Sequence, residues 1–190
     1  MSFPAAPLAV ASPSASDAEM LIEALTTRLL SGDSATAILE VWCGERLLAR
    51  EPRLAAKRVA GPDRQASAAQ TAHLKLMPGE TIRYRHVSLS CGVHILSEAE
   101  NWYVPARLTT EMNRLLDATD VPFGRVVHHL SPTRRNLRVE RLWSDARTRG
   151  VPGPSDRIFA IQAILSDRSG RPICEVSETY TGAILARGEA

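Results

Sequence analysis

Aromatic residues are scarce in this chain, at 5% of its 190 residues, and apolar runs are short. None approaches the roughly 20 apolar residues of a membrane-spanning helix, so no membrane partner is expected. Cysteines number three, Cys43, Cys91 and Cys174, an odd count without metal-ligand spacing. The five histidines, His73, His86, His94, His128 and His129, show no zinc spacing either, so no metal site is expected. Neither a glycine-rich phosphate loop nor a dinucleotide fingerprint occurs. A net charge of +2 is too small to argue for nucleic acid. Buried free thiols are the default for the cysteines, and a Cys43–Cys91 disulfide would require an exported protein.

What remains describes one globular domain of ordinary composition, with 44% hydrophobic and 23% charged residues. Residues 1–16, rich in Ala, Pro and Ser, read as a disordered tail ahead of a single domain over 17–190. The tail has no basic start, so a cytoplasmic protein is expected. An exported form would need a signal whose true start lies upstream. Arginines cluster from Arg125 through Arg134, Arg135, Arg138, Arg141, Arg147 and Arg149. This run reads either as a solvated strand-and-loop face or as contact for a small anion.

Along the chain, Asp17 can cap a helix whose Met20, Leu21, Ala24, Leu25 and Leu29 share a face. Thr36 to Trp42 reads as a strand. A further strand around Ala55 to Val59, a loop and a short helix fill the segment up to Gln70. Thr81 to Ser90 and His94 to Val104 form a hairpin around Cys91-Gly92. Thr109 or Thr110 caps a helix through Leu116. Strands are expected near Arg125 to Leu130 and Leu137 to Trp143, then a surface loop over Thr148 to Asp156. Arg157 to Ser166 and Pro172 to Leu185 are strands joined by Asp167-Arg168-Ser169-Gly170. Short hairpin connections and few helices imply an α+β fold: a single antiparallel sheet with helices packed on one side. Trp42, Trp102 and Trp143 read as core anchors. His128 and His129 would point to opposite faces of a strand, one buried and one exposed.

Charges on apolar strand faces carry the chemical signal. Arg83 and Arg85 share a face with Val87 and Leu89, and Glu178 lies between Val176 and Tyr180. A buried charge must be paired, hydrogen-bonded or neutralised. Two readings stand: either Arg85 and Glu178 form an internal salt bridge or the strand register slips by one at a bulge, or else both line a cavity. In the second, the guanidinium takes a ligand carboxylate and Glu178 acts as acid, base or hydroxyl acceptor. Glu98 and Glu100 share the face of Trp102, as an exposed face or as partners of Arg83 or Arg125. Ser88, His94 and Asp117 supply a hydrolytic triad in residue type only, since nothing places them together.

Four blocks in order over roughly Thr81 to Leu185 resemble the chorismate pyruvate-lyases. They are Tyr84-Arg85-His86-Val87-Ser88-Leu89 before Cys91-Gly92, Asn101-Trp102-Tyr103-Val104-Pro105, Thr119-Asp120-Val121-Pro122-Phe123-Gly124-Arg125, and Ser169-Gly170-Arg171-Pro172-Ile173 with Ser177-Glu178-Thr179-Tyr180. The resemblance implies a chorismate lyase-like fold that needs no cofactor. It implies elimination of pyruvate from chorismate to leave 4-hydroxybenzoate, with Arg85 and Glu178 as catalytic residues. Arg85, Phe123, Gly124, Asn101 and Glu100 would contact the substrate, a small carboxylate. Asn101 aligns with a position that can hold a further arginine in the lyases, and Glu98 and Glu100 stand where they are largely apolar. The related UTRA domains, effector-sensing halves of bacterial repressors, resemble Gly170-Arg171-Pro172 with Glu178-Thr179-Tyr180, and Glu100 fits their pattern better. That likeness implies the alternative: a non-catalytic module of the same fold that senses a carboxylate. The single N-terminal helix offers no helix-turn-helix, so a complete transcription factor is not expected.

Overall fold

In the computed structural model, residues 14–144 and 150–188 are described. The first 13 residues of the expected tail, and Arg147 and Arg149 of the arginine run, lie outside them. Helix α1 spans Ala15–Ser31 and opens on a capping box: Ser14 Oγ accepts from the Asp17 amide, while the Asp17 carboxylate accepts from Ser14. Asp17 is thus the third residue of the helix rather than its cap.

Helix α2 covers Ala35–Glu45, where alternation had suggested a strand over Thr36 to Trp42. Ser34 caps it, and Ala35, Leu39, Trp42 and Cys43 are buried at helical spacing. The β-branched Thr36, Ile38 and Val41 favour a strand locally, but burial follows the period of 3.6. The remaining elements are β1 (Leu54–Arg58), α3 (Ala68–Leu74), β2 (Arg83–Cys91), β3 (His94–Tyr103), α4 (Thr110–Ala118), α5 (Phe123–Val126), β4 (Thr133–Arg141), β5 (Arg157–Ser166) and β6 (Pro172–Thr181).

The strands form one sheet in the order β1-β2-β3-β6-β5-β4, antiparallel throughout, which is the expected α+β arrangement. One face packs against Ile22, Leu25 and Leu29 of α1 and Leu39 and Trp42 of α2. At full burial each such Leu or Ile contributes about 1.5–3 kcal/mol. The short α3 serves the other face, where Leu74 meets Trp102 and Val104. All three tryptophans are buried.

Three further expectations are corrected. Arg125 to Leu130 is not a strand: Phe123–Val126 is helical and His128–Leu130 a 3₁₀ turn, so His128 and His129 are both exposed with their rings 6.0 Å apart. Strand β4 begins at Thr133, four residues before Leu137, and carries a bulge between Asn136 and Arg138. The last strand ends at Thr181, and Gly182–Leu185 is a 3₁₀ turn.

Cys43 and Cys91 are disulfide-bonded, against the free-thiol default, while Cys174 is free and buried. The helical form of α2 is what brings Cys43 over the end of β2. Equally unforeseen is Arg107, buried after β3, which donates to the carbonyls of Leu74 (2.7 Å), Lys75 (2.9 Å) and Pro172 and to Glu80. Its hydrogen bond, with a backbone amide from Met77 and the charge of Arg171, pushes the Glu80 carboxyl down to about 2.

Two outcomes follow. Closing a 48-residue separation, the disulfide contributes on the order of 4 kcal/mol by loop entropy, so urea unfolding of Cys43→Ala/Cys91→Ala should show a loss of that order. Because the folded pKa of Glu80 lies below its ordinary 4.5, its contribution is complete above that value and is lost as pH falls toward 2. Glu80→Gln should therefore flatten the fall of Tm across that acid window, measured by thermal melts against pH.

Candidate functional site

A cavity of about 350 Å³ opens between the inner sheet face and the N-terminal ends of α2 and α5. Its size suits a small ligand. Val87, Leu89, Ala99 and Val176 form the apolar floor, and Pro122 and Phe123 form one wall. The polar lining comes from Asn101, Glu178, Arg134, Thr133 and His128, and from Asp33 to Thr36 at the start of α2.

Strand register explains the floor. Val87 pairs with Ala99, Ala99 with Glu178 and Glu178 with Ile161, so these residues form one row across four strands. In the neighbouring row Arg85 pairs with Asn101 and Asn101 with Val176. Glu178 therefore sits at the centre of an apolar face, where a charge needs a counter-ion.

That counter-ion is Arg134 of β4, not Arg85. Arg134 Nη2 donates to Glu178 Oε2 at 2.6 Å, with both side chains almost wholly buried. Arg134 Nε donates to Asn136 Oδ1 at 3.1 Å, and Asn136 Nδ2 in turn donates to the carbonyl of Leu30 at 3.0 Å. Nη1 of Arg134 makes no hydrogen bond among the described residues, and Glu178 keeps one oxygen outside the ion pair. Burial opposes the charge on Arg134 most strongly, but the charge and hydrogen bond of Glu178, with Tyr180 and Cys174 beside it, together raise the guanidinium pKa. Beside this pair, burial pushes up the Cys174 thiol and the Tyr180 phenol, an effect the Glu178 charge reinforces in both.

Arg85 is fully buried but stands outside the cavity lining. Its Nε donates to Leu116 O and its Nη2 to Val121 O, each at 3.2 Å, while Nη1 has no partner among the described residues. Leu116 lies in the last turn of α4, so the helix C-terminus supplies partial negative charge in place of a carboxylate. Burial lowers the Arg85 pKa. The internal Arg85–Glu178 salt bridge is thus absent among the described contacts, each side chain having other partners.

Glu98 and Glu100 lie on the opposite sheet face. Glu98 stands 3.5 Å from His86, and Glu100 accepts from Arg64 at 2.8 Å and from the Tyr84 hydroxyl at 2.5 Å. Neither meets Arg83 or Arg125, which hold Asp117 and Glu40 respectively. Of the expected substrate contacts, Asn101, Phe123, Gly124 and Glu178 converge on the cavity, whereas Arg85 and Glu100 do not line it. Sequence reasoning missed Arg134, although it belongs to the arginine run. Starting the strand at Leu137 removed it from the face it shares with Asn136.

Gly124 has a local reason. A Cβ there would stand 2.7 Å from Thr36 Oγ1, so the bare backbone lets α5 approach α2 and keeps the cavity open.

The fold is that of an α+β domain with the UTRA-like architecture. PhnF from Mycobacterium smegmatis shares the fold, with a TM-score of 0.56 at 13% identity over 90% of this chain and 84% of that one. A second solved structure, the effector domain of that protein alone, gives a TM-score of 0.46 at 14% identity, over 79% of this chain and 89% of that domain. No family model matches, that of the chorismate lyases included. The chain is 40% identical over 182 residues to the uncharacterized protein y4mC of Sinorhizobium fredii (strain NBRC 101917 / NGR234), covering 89% of this chain and 77% of that protein. It belongs to the family of that protein.

Removing one partner of a buried ion pair strands the other. Arg134→Ala should therefore cost about 3–5 kcal/mol by chemical denaturation. Arg134→Met combined with Glu178→Gln should cost less than the sum of the two single changes.

Proposed function

We propose that this chain is a non-catalytic small-molecule-binding module whose ligand is a small carboxylate bearing a hydroxyl or other hydrogen-bond donor. The observation that carries the reading is the half-satisfied Arg134–Glu178 pair in the cavity floor. The free edge of Arg134 offers two-point contact to a carboxylate, and the second oxygen of Glu178 accepts from a donor beside it. Phe123 and the Val87–Ala99–Val176 floor cover the carbon skeleton, with Asn101 and the Gly124 backbone at its edge. Each partner already neutralises the other, so the site favours a ligand of low charge over a dianion. The fold shared with PhnF, which has an effector domain, supports the same reading.

The lyase reading asks more. Elimination of pyruvate from chorismate would need Arg85 in the cavity to hold a carboxylate and Glu178 free for proton transfer. Arg85 instead faces the carbonyls of Leu116 in the last turn of α4 and of Val121 just after it, and Glu178 is engaged by Arg134. In the binding reading Arg134 fills the place expected of Arg85, and Arg85 braces the junction of β2 with α4.

Titration calorimetry against a panel of small hydroxy-carboxylates, including 4-hydroxybenzoate, tests the binding. At least one compound should bind with one-to-one stoichiometry, and Arg134→Gln should weaken it at least about tenfold, or roughly 1.4 kcal/mol. Saturable binding untouched by Arg134→Gln would overturn the assignment of the site. Incubation with chorismate at high enzyme concentration should yield neither 4-hydroxybenzoate nor pyruvate; stoichiometric product would restore the lyase.

A further inference from the structure

The ion pair in the cavity floor does not end at the cavity. Arg134 stands on β4, one of the two edge strands of the sheet, and is held from behind by Asn136 of the same strand. The other end of the Asn136 amide donates to the Leu30 carbonyl, in the last turn of α1. That carbonyl belongs to the last four of the helix, which have no partner within it, so Asn136 is a cap supplied by another element. Further along the strand, Arg141 pairs with Glu19 in the first turns of α1. Helix α1 thus lies along β4 and is attached to it near both ends.

We infer that β4 and α1 form one output element for the cavity, with Asn136 the positioning residue that passes the state of the Arg134–Glu178 pair to the end of α1. This rests on the binding reading above, and it adds where occupancy is felt. The geometry gives the direction. A ligand that draws the guanidinium off Glu178 must turn Arg134 about a side chain whose Nε is fixed to Asn136 Oδ1. The Asn136 amide is rigid, so its two ends cannot respond separately. Movement at Oδ1 appears at Nδ2, and through it at Leu30. A ligand shifts this equilibrium only by the difference in its contacts with the paired and opened states, and the Nη2 edge of Arg134, occupied by Glu178 in the paired state, supplies that difference. An edge strand suits the role, because β4 is bonded to the sheet along β5 alone.

The test needs no ligand, since a change at Glu178 weakens the pair directly by removing its charge. Hydrogen exchange would be followed at the last-turn amides of α1, Leu29 to Ser31, in wild type, Glu178→Gln, Asn136→Asp and the double variant. Asn136→Asp keeps the acceptor for Arg134 but removes the donor to Leu30. Glu178→Gln should speed exchange in that turn by about threefold or more. In the Asn136→Asp background the same change should add nothing there, while exchange around the cavity still rises. No response of α1 to Glu178→Gln, or an equal response with and without Asn136, would overturn the inference. Should Glu178→Gln fold poorly, Glu178→Asp withdraws the carboxylate with its charge retained and is read in the same way. If instead no carboxylate binds but the exchange coupling is found, the ligand reading fails and the connection from floor to helix stands.

Discussion

A carboxylate in the middle of an apolar sheet face must be paired, and the site is arranged around how this one is paired. Glu178 is fixed by strand alternation: with Val176 and Tyr180 facing inward, it faces inward too. The counter-charge arrives from two strands away, on β4, and reaches Glu178 diagonally from the Leu165 row, across the row that Ala163 and Val176 share. Every later feature depends on that reach. It places a half-free guanidinium at the cavity floor, makes the edge strand part of the site, and leaves Arg85 to find its partners among backbone carbonyls.

The two buried arginines outside the cavity show how differently one side chain can be satisfied. Arg107 spends its donors on three carbonyls and the Glu80 carboxylate, tying the turn after α3 to the start of β6. Arg85 makes two longer bonds and leaves Nη1 orphaned in the interior. An unmet buried donor of this kind costs roughly 1–3 kcal/mol. Arg85 is therefore the less settled of the two.

Much of the sheet was legible because alternation is a two-residue signal. The β2–β3 hairpin and β5 showed their inward residues within a few positions, and Glu178 stood out as a charge on an apolar face. The helix α2 was not, since Thr36, Ile38 and Val41 mimic an alternating strand over six residues. Only the longer spacing to Trp42 and Cys43, together with the Ser34 cap, distinguishes it. The partner of Glu178 was hidden for another reason. Pairing across strands distant in sequence is settled by topology, and no local pattern says which of several arginines will stand two strands away. Placing Arg125 to Leu130 in a strand compounded this by drawing the preceding connection too tight for β4 to begin at Thr133.

The bulge in β4 has a consequence of parity. Arg134 and Arg141 are seven residues apart, so strict alternation would send them to opposite sides of the sheet. The extra residue at Leu137, which opposes nothing on β5, resets the count. Arg134 and Asn136 face inward before it, and Val139 and Arg141 face inward after it, paired with Ile161 and Phe159. One inserted residue thus lets a single edge strand put one arginine into a pocket and another against a helix. Length, rather than residue identity, is the quantity this strand cannot change.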